Sequence, residues 1–174
     1  MSDKPHSQFA SDAIQALLHG MIAQAGAVPV SQFIALALGH PEYGYYRRQN
    51  PIGAAGDFTT AAEISGLFGE MCGVYLAHMY EIAGQPDTAQ IVELGPGRGS
   101  LMADMRHSWA HITPAMTEFP IHLVETSPQL RKLQRQRINA AKLTWHDDVQ
   151  TLPKSALFGA VSYTHLTLPT ILLV

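Results

Sequence analysis

The sequence predicts an α/β fold, a parallel sheet preceded by helices. Three observations carry this. The stretch Ile91-Val92-Glu93-Leu94-Gly95-Pro96-Gly97-Arg98-Gly99-Ser100-Leu101 reads as a strand, a tight glycine turn and a helix start. Two more short apolar runs, Ile121-His122-Leu123-Val124 and Leu143-Thr144-Trp145-His146, each end in acids, Glu125 in the first case and Asp147-Asp148 in the second. The segments between these runs have helical spacing, and strands alternating with helices predict βαβ units.

From the N-terminus, Ser11 to Gln24 is expected to be helical, with Ile14, Leu17, Leu18, Met21 and Ile22 at helical spacing. Ser11 or Asp12 is the candidate cap and Gly26 the stop. A second helix is expected after Pro29, with Ser31 as N-cap and Gly39-His40-Pro41 as its end. The segment from Pro41 to Thr60 holds Tyr43, Tyr45, Tyr46, Arg47 and Arg48 among several glycines. It is expected to be irregular, either a lid over a ligand or a structural loop packed by its tyrosines. Ala62 to Ile82 is the longest periodic stretch. Its stripe of Ile64, Leu67, Phe68, Met71, Val74, Tyr75, Met79 and Ile82 is expected to face the core. After the glycine turn, Leu101, Met102, Met105 and Trp109 form one helical face, which Pro114 closes. Ser127-Pro128 is a well-formed helix start. Leu130, Leu133, Gln134 and Ile138 line that helix's inner face, and Arg131, Lys132, Arg135 and Arg137 make a solvated outer one.

The 174 residues suffice for one domain with a core. At 47% apolar and 14% charged the chain is globular in composition, not disordered. A net charge of −3 and a pI near 6.3 give no electrostatic footprint for nucleic acid. The single Cys72 excludes an internal disulfide and argues against a thiolate metal site. His107 and His111 are four apart but lack the glutamate of a zinc helix, so they read as surface or packing residues, and no metal is expected. There is no apolar run long enough for a membrane span and no secretory h-region, which leads to the expectation of a cytoplasmic protein.

The spacing of the turn bears on the ligand. A dinucleotide fingerprint would put its third glycine at 100, where the chain has Ser100; here it falls at Gly99, and Glu93 stands two before Gly95. E-x-G-x-G-x-G is the form found in class I S-adenosylmethionine (SAM) methyltransferases. Glycine permits positive φ and lets a ligand lie against bare backbone, and the helix that opens next points unpaired N–H groups at it. A glycine-rich loop without a ligand is the plainer alternative. Glu125 lies 26 positions past Gly99, where the next strand's end comes beside the first turn. It could accept both ribose hydroxyls, or be a solvated strand end. Asp147 or Asp148 could accept from an adenine amino group, or belong to a polar turn.

Together these residues resemble one family. Gly39-His40-Pro41-Glu42-Tyr43-Gly44-Tyr45-Tyr46, Gly56-Asp57-Phe58-Thr59-Thr60, Glu63-Ile64-Ser65, Leu67-Phe68-Gly69-Glu70, the glycine turn, Val124-Glu125-Thr126-Ser127-Pro128 and Trp145-His146-Asp147 are similar to the MidA-like SAM-dependent methyltransferases. These are bacterial relatives of the mitochondrial complex I assembly arginine methyltransferase. Ala62 stands where the family usually has Pro. The resemblance implies a class I, Rossmann-like sheet, SAM as cofactor, a protein arginine as acceptor and a respiratory complex subunit as a possible substrate. It implies a cofactor set of Asp57, Glu93, Gly95, Gly97, Gly99, Glu125 and Asp147. A non-catalytic assembly factor and a nicotinamide-dependent oxidoreductase are the alternatives.

The domain organisation expected is a helical region over 1–86 with the tyrosine and glycine loop at 41–61, a partial cofactor domain over 87–160, and a tail over 161–174. The resemblance fails in that tail. The family continues with a fourth strand and an Asn-Glu-Phe-Phe-Asp type motif, which by resemblance holds the catalytic acids. This chain reads Val161-Ser162-Tyr163-Thr164-His165-Leu166-Thr167-Leu168-Pro169-Thr170, which resembles a translated transposon-end sequencing adapter. The expectation is a sheet truncated after strand three or four and a non-native tail; the alternative is a genuine β-strand. Re-sequencing the gene across codons 155–174 from independent source DNA is expected to show the frame running past Ala160 into an Asn-Glu-Phe-Phe-Asp type motif. A confirmed tail followed by a stop codon would contradict this.

Overall fold

A computed structural model describes residues 4–45, 60–155 and 157–161. The chain divides into two compact units, Met1–Pro51 and Ile52–Val174. The division falls well before position 86, because the long helix after residue 65 packs on the helix that follows the glycine turn.

The first unit holds α1 (Lys4–Ala25) and α2 (Val30–Gly39). α1 begins at Lys4, so Ser11 and Asp12 lie inside it and do not cap it. Asp12 accepts instead from the Gln8 amide at 2.9 Å, one helical turn away. Gly26, at φ 78°, ends the helix as expected. The N-cap position of α2 is Pro29, not Ser31, and no side chain caps it. Past α2, His40 organises the chain reversal. Its Nδ1 accepts from the backbone N–H groups of Glu42 (3.2 Å) and Tyr43 (3.1 Å), and its ring stacks on Tyr43 at 5.0 Å. A Cβ at Gly44 would lie 2.5 Å from the His40 nitrogen, so this position has room only for glycine. Most of the expected lid, residues 46–59 with Asp57, lies outside the described residues.

The second unit opens with α3 (Ala61–Ile64) and α4 (Gly66–Ile82). One continuous helix was expected here. Ser65 interrupts it at φ −151° and ψ 126°, and its hydroxyl caps α4 by accepting from Leu67 N at 3.3 Å. A serine side chain that can replace a backbone acceptor favours such a restart. The expected core stripe of α4 also requires correction. Ile64, Leu67, Phe68, Met71, Val74, Tyr75 and Ile82 are all exposed; the buried residues are Gly69, Gly73, Leu76, Ala77 and Tyr80. Small residues win that face because the partner helix approaches closely. A Cβ at Gly73 would collide with the Ser108 hydroxyl and lie 2.9 Å from Met105 Cα. The bare Gly73 carbonyl there accepts from Trp109 Nε1 at 2.8 Å.

β1 (Gln90–Leu94), α5 (Ser100–Ile112), β2 (Ile121–Val124), α6 (Pro128–Ile138), β3 (Leu143–His146) and β4 (Leu157–Val161) follow. The strands form one parallel sheet in the order β3-β2-β1-β4. The α/β expectation and the sheet preceded by helices are thus borne out. Ile91 pairs with Ile121, and Ile121 with Leu143, so one face is apolar across the strands. Met102, Met105 and Trp109 of α5 are fully buried in the same core, with Ile138 and Tyr80. The alternate face carries a hydrogen-bonded chain instead. His122 meets Gln90 Oε1 at 2.6 Å and His146 at 2.9 Å, and His146 meets Thr151 at 2.9 Å. Burial, and then His146, lower the His122 pKa. No helix among the described residues is long and apolar enough to cross a membrane.

Gly73→Ala should lower the unfolding free energy by about 1–3 kcal/mol, since the added methyl overpacks the α4–α5 contact. Urea denaturation checks this, and an unchanged midpoint would contradict the contact.

Candidate functional site

The site is built where β1, β2 and β3 end. β1 leads into a turn in which Gly95, Gly97 and Gly99 all have positive φ, at 63°, 54° and 79°. Side chains rarely adopt this conformation, and three alternate glycines in it leave a turn with little side chain over its backbone. Gly99 N donates to Pro96 O at 2.8 Å, and Ala103 N to Gly99 O at 3.1 Å, so the turn runs directly into α5. Gly99 is the N-cap and offers no side chain to the first-turn N–H groups. Such groups favour an electron-rich partner.

Glu93 is fully buried two residues before Gly95, and neither carboxyl oxygen has a hydrogen-bond partner among the described residues. Burial pushes its pKa up to about 8. A neutral carboxyl is the cheaper state in an apolar site unless a cation arrives to pair with it.

Glu125 follows β2. Its N–H continues the ladder to His146 O at 3.0 Å. One carboxyl oxygen accepts from Ser127 N at 2.8 Å, and the other from Gln134 Nε2 at 3.4 Å. Burial raises the Glu125 pKa, against the lowering effect of those donors and of Arg131. Arg131 donates to Glu125 O and to Asp147 Oδ1, both at 2.7 Å. Asp148 has a local task as the cap of the next turn, accepting from Gln150 N at 2.8 Å.

Six of the seven sequence-predicted residues therefore meet around one corner of the sheet: Glu93, Gly95, Gly97, Gly99, Glu125 and Asp147. Asp57 lies outside the described residues. His107 and His111 are exposed on α5, where His107 pairs with Glu70 at 3.0 Å.

Sequence reasoning missed the connectors. Gln134 joins the turn to Glu125, donating to Gly97 O at 2.7 Å. Ser100 donates to Glu63, and Arg137 donates to both, which ties α3, α5 and α6 together at the start of α5. The arginine-rich face of α6 is thus partly engaged, and Arg135 also lies 4.4 Å over the Trp145 ring. The available signal for Gln134 was a polar residue in the otherwise apolar stripe of Leu130 and Ile138.

A family profile described as "Putative S-adenosyl-L-methionine-dependent methyltransferase" matches residues 71–163. The chain belongs to this family. It is 38% identical over 149 residues to a Drosophila melanogaster protein named protein arginine methyltransferase NDUFAF7 homolog, mitochondrial, covering 86% of this chain and 33% of that one. The Xenopus laevis protein arginine methyltransferase NDUFAF7 is 30% identical over 181 residues, covering 90% of this chain and 41% of that one. The chain thus spans about two-fifths or less of the length of these relatives. A crystal structure of a Burkholderia thailandensis protein bound to S-adenosyl-homocysteine superposes with a TM-score of 0.72 at 28% identity, covering 89% of this chain and 42% of that one. Membership sets aside the nicotinamide alternative and bears out the MidA-like resemblance.

The raised Glu93 pKa has a consequence for stability. Between the ordinary carboxylate range and about pH 8 the folded protein holds a proton that the unfolded chain has lost. Stability is therefore expected to fall as pH rises through that window. Glu93→Gln should remove this slope. Urea midpoints at pH 5.5 and pH 8.5 check it, and an identical slope in parent and variant would contradict it.

Proposed function

We propose that the protein carrying this chain is a SAM-dependent protein arginine methyltransferase, and that residues 87–160 bind its cofactor. The observation that carries this reading is the joining of the glycine turn to Glu125 at the ends of two adjacent parallel strands. The residues fit the cofactor chemically. The bare turn and the uncapped start of α5 suit a methionine carboxylate. The unpartnered carboxyl of Glu93 suits an ammonium group. Glu125, at the end of the adjacent strand, is assigned to a ribose diol, since a carboxylate can accept more bonds than its protein donors supply. Asp147 is assigned to the adenine amino group, and Asp57 joins the set by resemblance. These are the features expected of a site for a ligand with a zwitterionic end and a nucleoside end.

Bound SAM supplies a methyl group on a sulfonium, open to in-line displacement. The contribution of this chain is to hold and orient that donor. A guanidinium stays cationic at neutral pH, so an arginine acceptor also needs carboxylates to orient it and take up a proton. Those acids are assigned, by resemblance, to the later Asn-Glu-Phe-Phe-Asp type motif, and no catalytic residue is assigned here. The arginine acceptor is supported by the names of the relatives.

In the full-length protein, S-adenosyl-homocysteine binding should be abolished by Gly97→Asp, which places a carboxylate in the turn, and weakened at least about tenfold by Glu125→Ala. Calorimetric titration checks both; unchanged affinity in both variants would sink the cofactor assignment. Labelled methyl groups transferred to protein should be recovered as methylarginine after hydrolysis. Recovery on another residue would refute the acceptor alone, and binding without any transfer would support an assembly factor.

A further inference from the structure

The fully buried Gln134 amide sits among the parts of the proposed cofactor site without being one of them. All of its polar capacity is directed inward. Nε2 donates to Gly97 O at 2.7 Å and to Glu125 Oε2 at 3.4 Å, while Oε1 accepts from Trp145 Nε1 at 2.7 Å. Trp145 decides which way the amide faces. An indole N–H can only donate, so the glutamine carbonyl must point at it. The NH₂ group then points at Gly97 and Glu125. The reverse orientation would set a carbonyl against a carbonyl and a carboxylate, and turn an amide donor toward the donor N–H of the half-buried indole. Trp145 is itself held by the Arg135 guanidinium over its ring.

Two consequences reach the ligand side. In a planar trans peptide the C=O and N–H groups point in opposite directions. Anchoring Gly97 O on α6 therefore turns the Arg98 N–H away from α6. The Glu125 carboxylate, gripped by Ser127 N on one oxygen and Gln134 on the other and reached by the Thr126 backbone N–H as well, has a fixed plane. The backbone confirms how tightly α6 sits on the turn: a Cβ at Gly99 would lie 3.3 Å from Gln134 Cα and 3.2 Å from the Ile138 side chain.

We propose that Gln134 is a positioning residue for cofactor recognition, with Trp145 as the group that orients it. Its amide couples the turn that takes the methionine end to the carboxylate that takes the ribose, so that both are in place before the ligand arrives. This rests on the cofactor reading above and adds a residue to it.

The test measures S-adenosyl-homocysteine affinity of the full-length protein by calorimetry. Gln134→Met keeps the volume and loses every hydrogen bond; it should bind about tenfold or more weakly. Trp145→Phe keeps the ring packing and loses only the orienting donor; it should bind about threefold more weakly with a near-parental melting temperature. Gln134→Glu gives a readout that packing cannot produce. Its new carboxyl faces Glu125, with Arg131 and Arg135 flanking on the same helix. At pH 8.5 it lacks a donor and should bind poorly; toward pH 6 it regains one on protonation, and its deficit relative to the parent should shrink. Affinity within twofold of the parent in Gln134→Met and Trp145→Phe, or a deficit of Gln134→Glu that does not change with pH, would overturn the proposal. If Gly97→Asp and Glu125→Ala also bind normally, the cofactor reading falls, and this proposal falls with it. If those two lose binding while Gln134→Met and Trp145→Phe do not, only the role of Gln134 is refuted.

Discussion

A buried amide must find its hydrogen bonds inside the protein, and Gln134 finds them at the meeting point of three strand ends. That constraint orders the corner of the molecule that matters most. With the amide satisfied, the glycine turn after β1, the carboxylate after β2 and the tryptophan of β3 have fixed relations to one another. Without it, the buried Gly97 carbonyl would be left unpaired, at a cost of about 1–3 kcal/mol, and the half-buried Trp145 indole would lose its acceptor. The same helix supplies Arg131, which links the end of β2 to Asp147. α6 thus serves as the brace on which the separate loops are aligned.

Behind this corner lies a second constraint, the close approach of α4 to α5. Gly69 and Gly73 let the two backbones come together, and the indole of Trp109 bonds the buried Gly73 carbonyl. This seats α5 firmly against the sheet and fixes where its first turn, and hence the glycine turn, stands. Ser100, Glu63 and Arg137 complete the bracing from the other side. Rigid support on both sides suits a site whose polar groups must be in position before a ligand arrives.

The electrostatics of the site follow from burial. Two carboxyls meet the low-dielectric interior in different company. Glu125 has donors on both oxygens, which only partly counter its burial, so its pKa is still raised. Glu93 has none among the described residues, and its pKa rises to about 8. Under the proposed cofactor reading the first would take hydroxyl groups and the second a cation.

Local chemistry determined much of this in the sequence. Alternate glycines can form a left-handed turn wherever they occur, so Gly95, Gly97 and Gly99 were legible as a turn. Ser127-Pro128 caps a helix by its own stereochemistry. The β1, β2 and β3 runs and the acids at their ends were legible because strand ends collect at one edge of a parallel sheet. What the sequence left open was decided by contacts between distant residues. Hydrophobic period assigned the wrong face of α4 to the core, since the period registers apolar residues and is blind to a partner helix that needs glycine. The break at Ser65 depended on whether a hydroxyl would cap or be solvated. Gln134 read as one more residue of an inner face, and only the folded chain could bring Gly97, Glu125 and Trp145 within reach of its amide. Hydrogen bonds between residues 37 apart, as for Gln134 and Gly97, are set by the path of the backbone in space, and no local pattern records them.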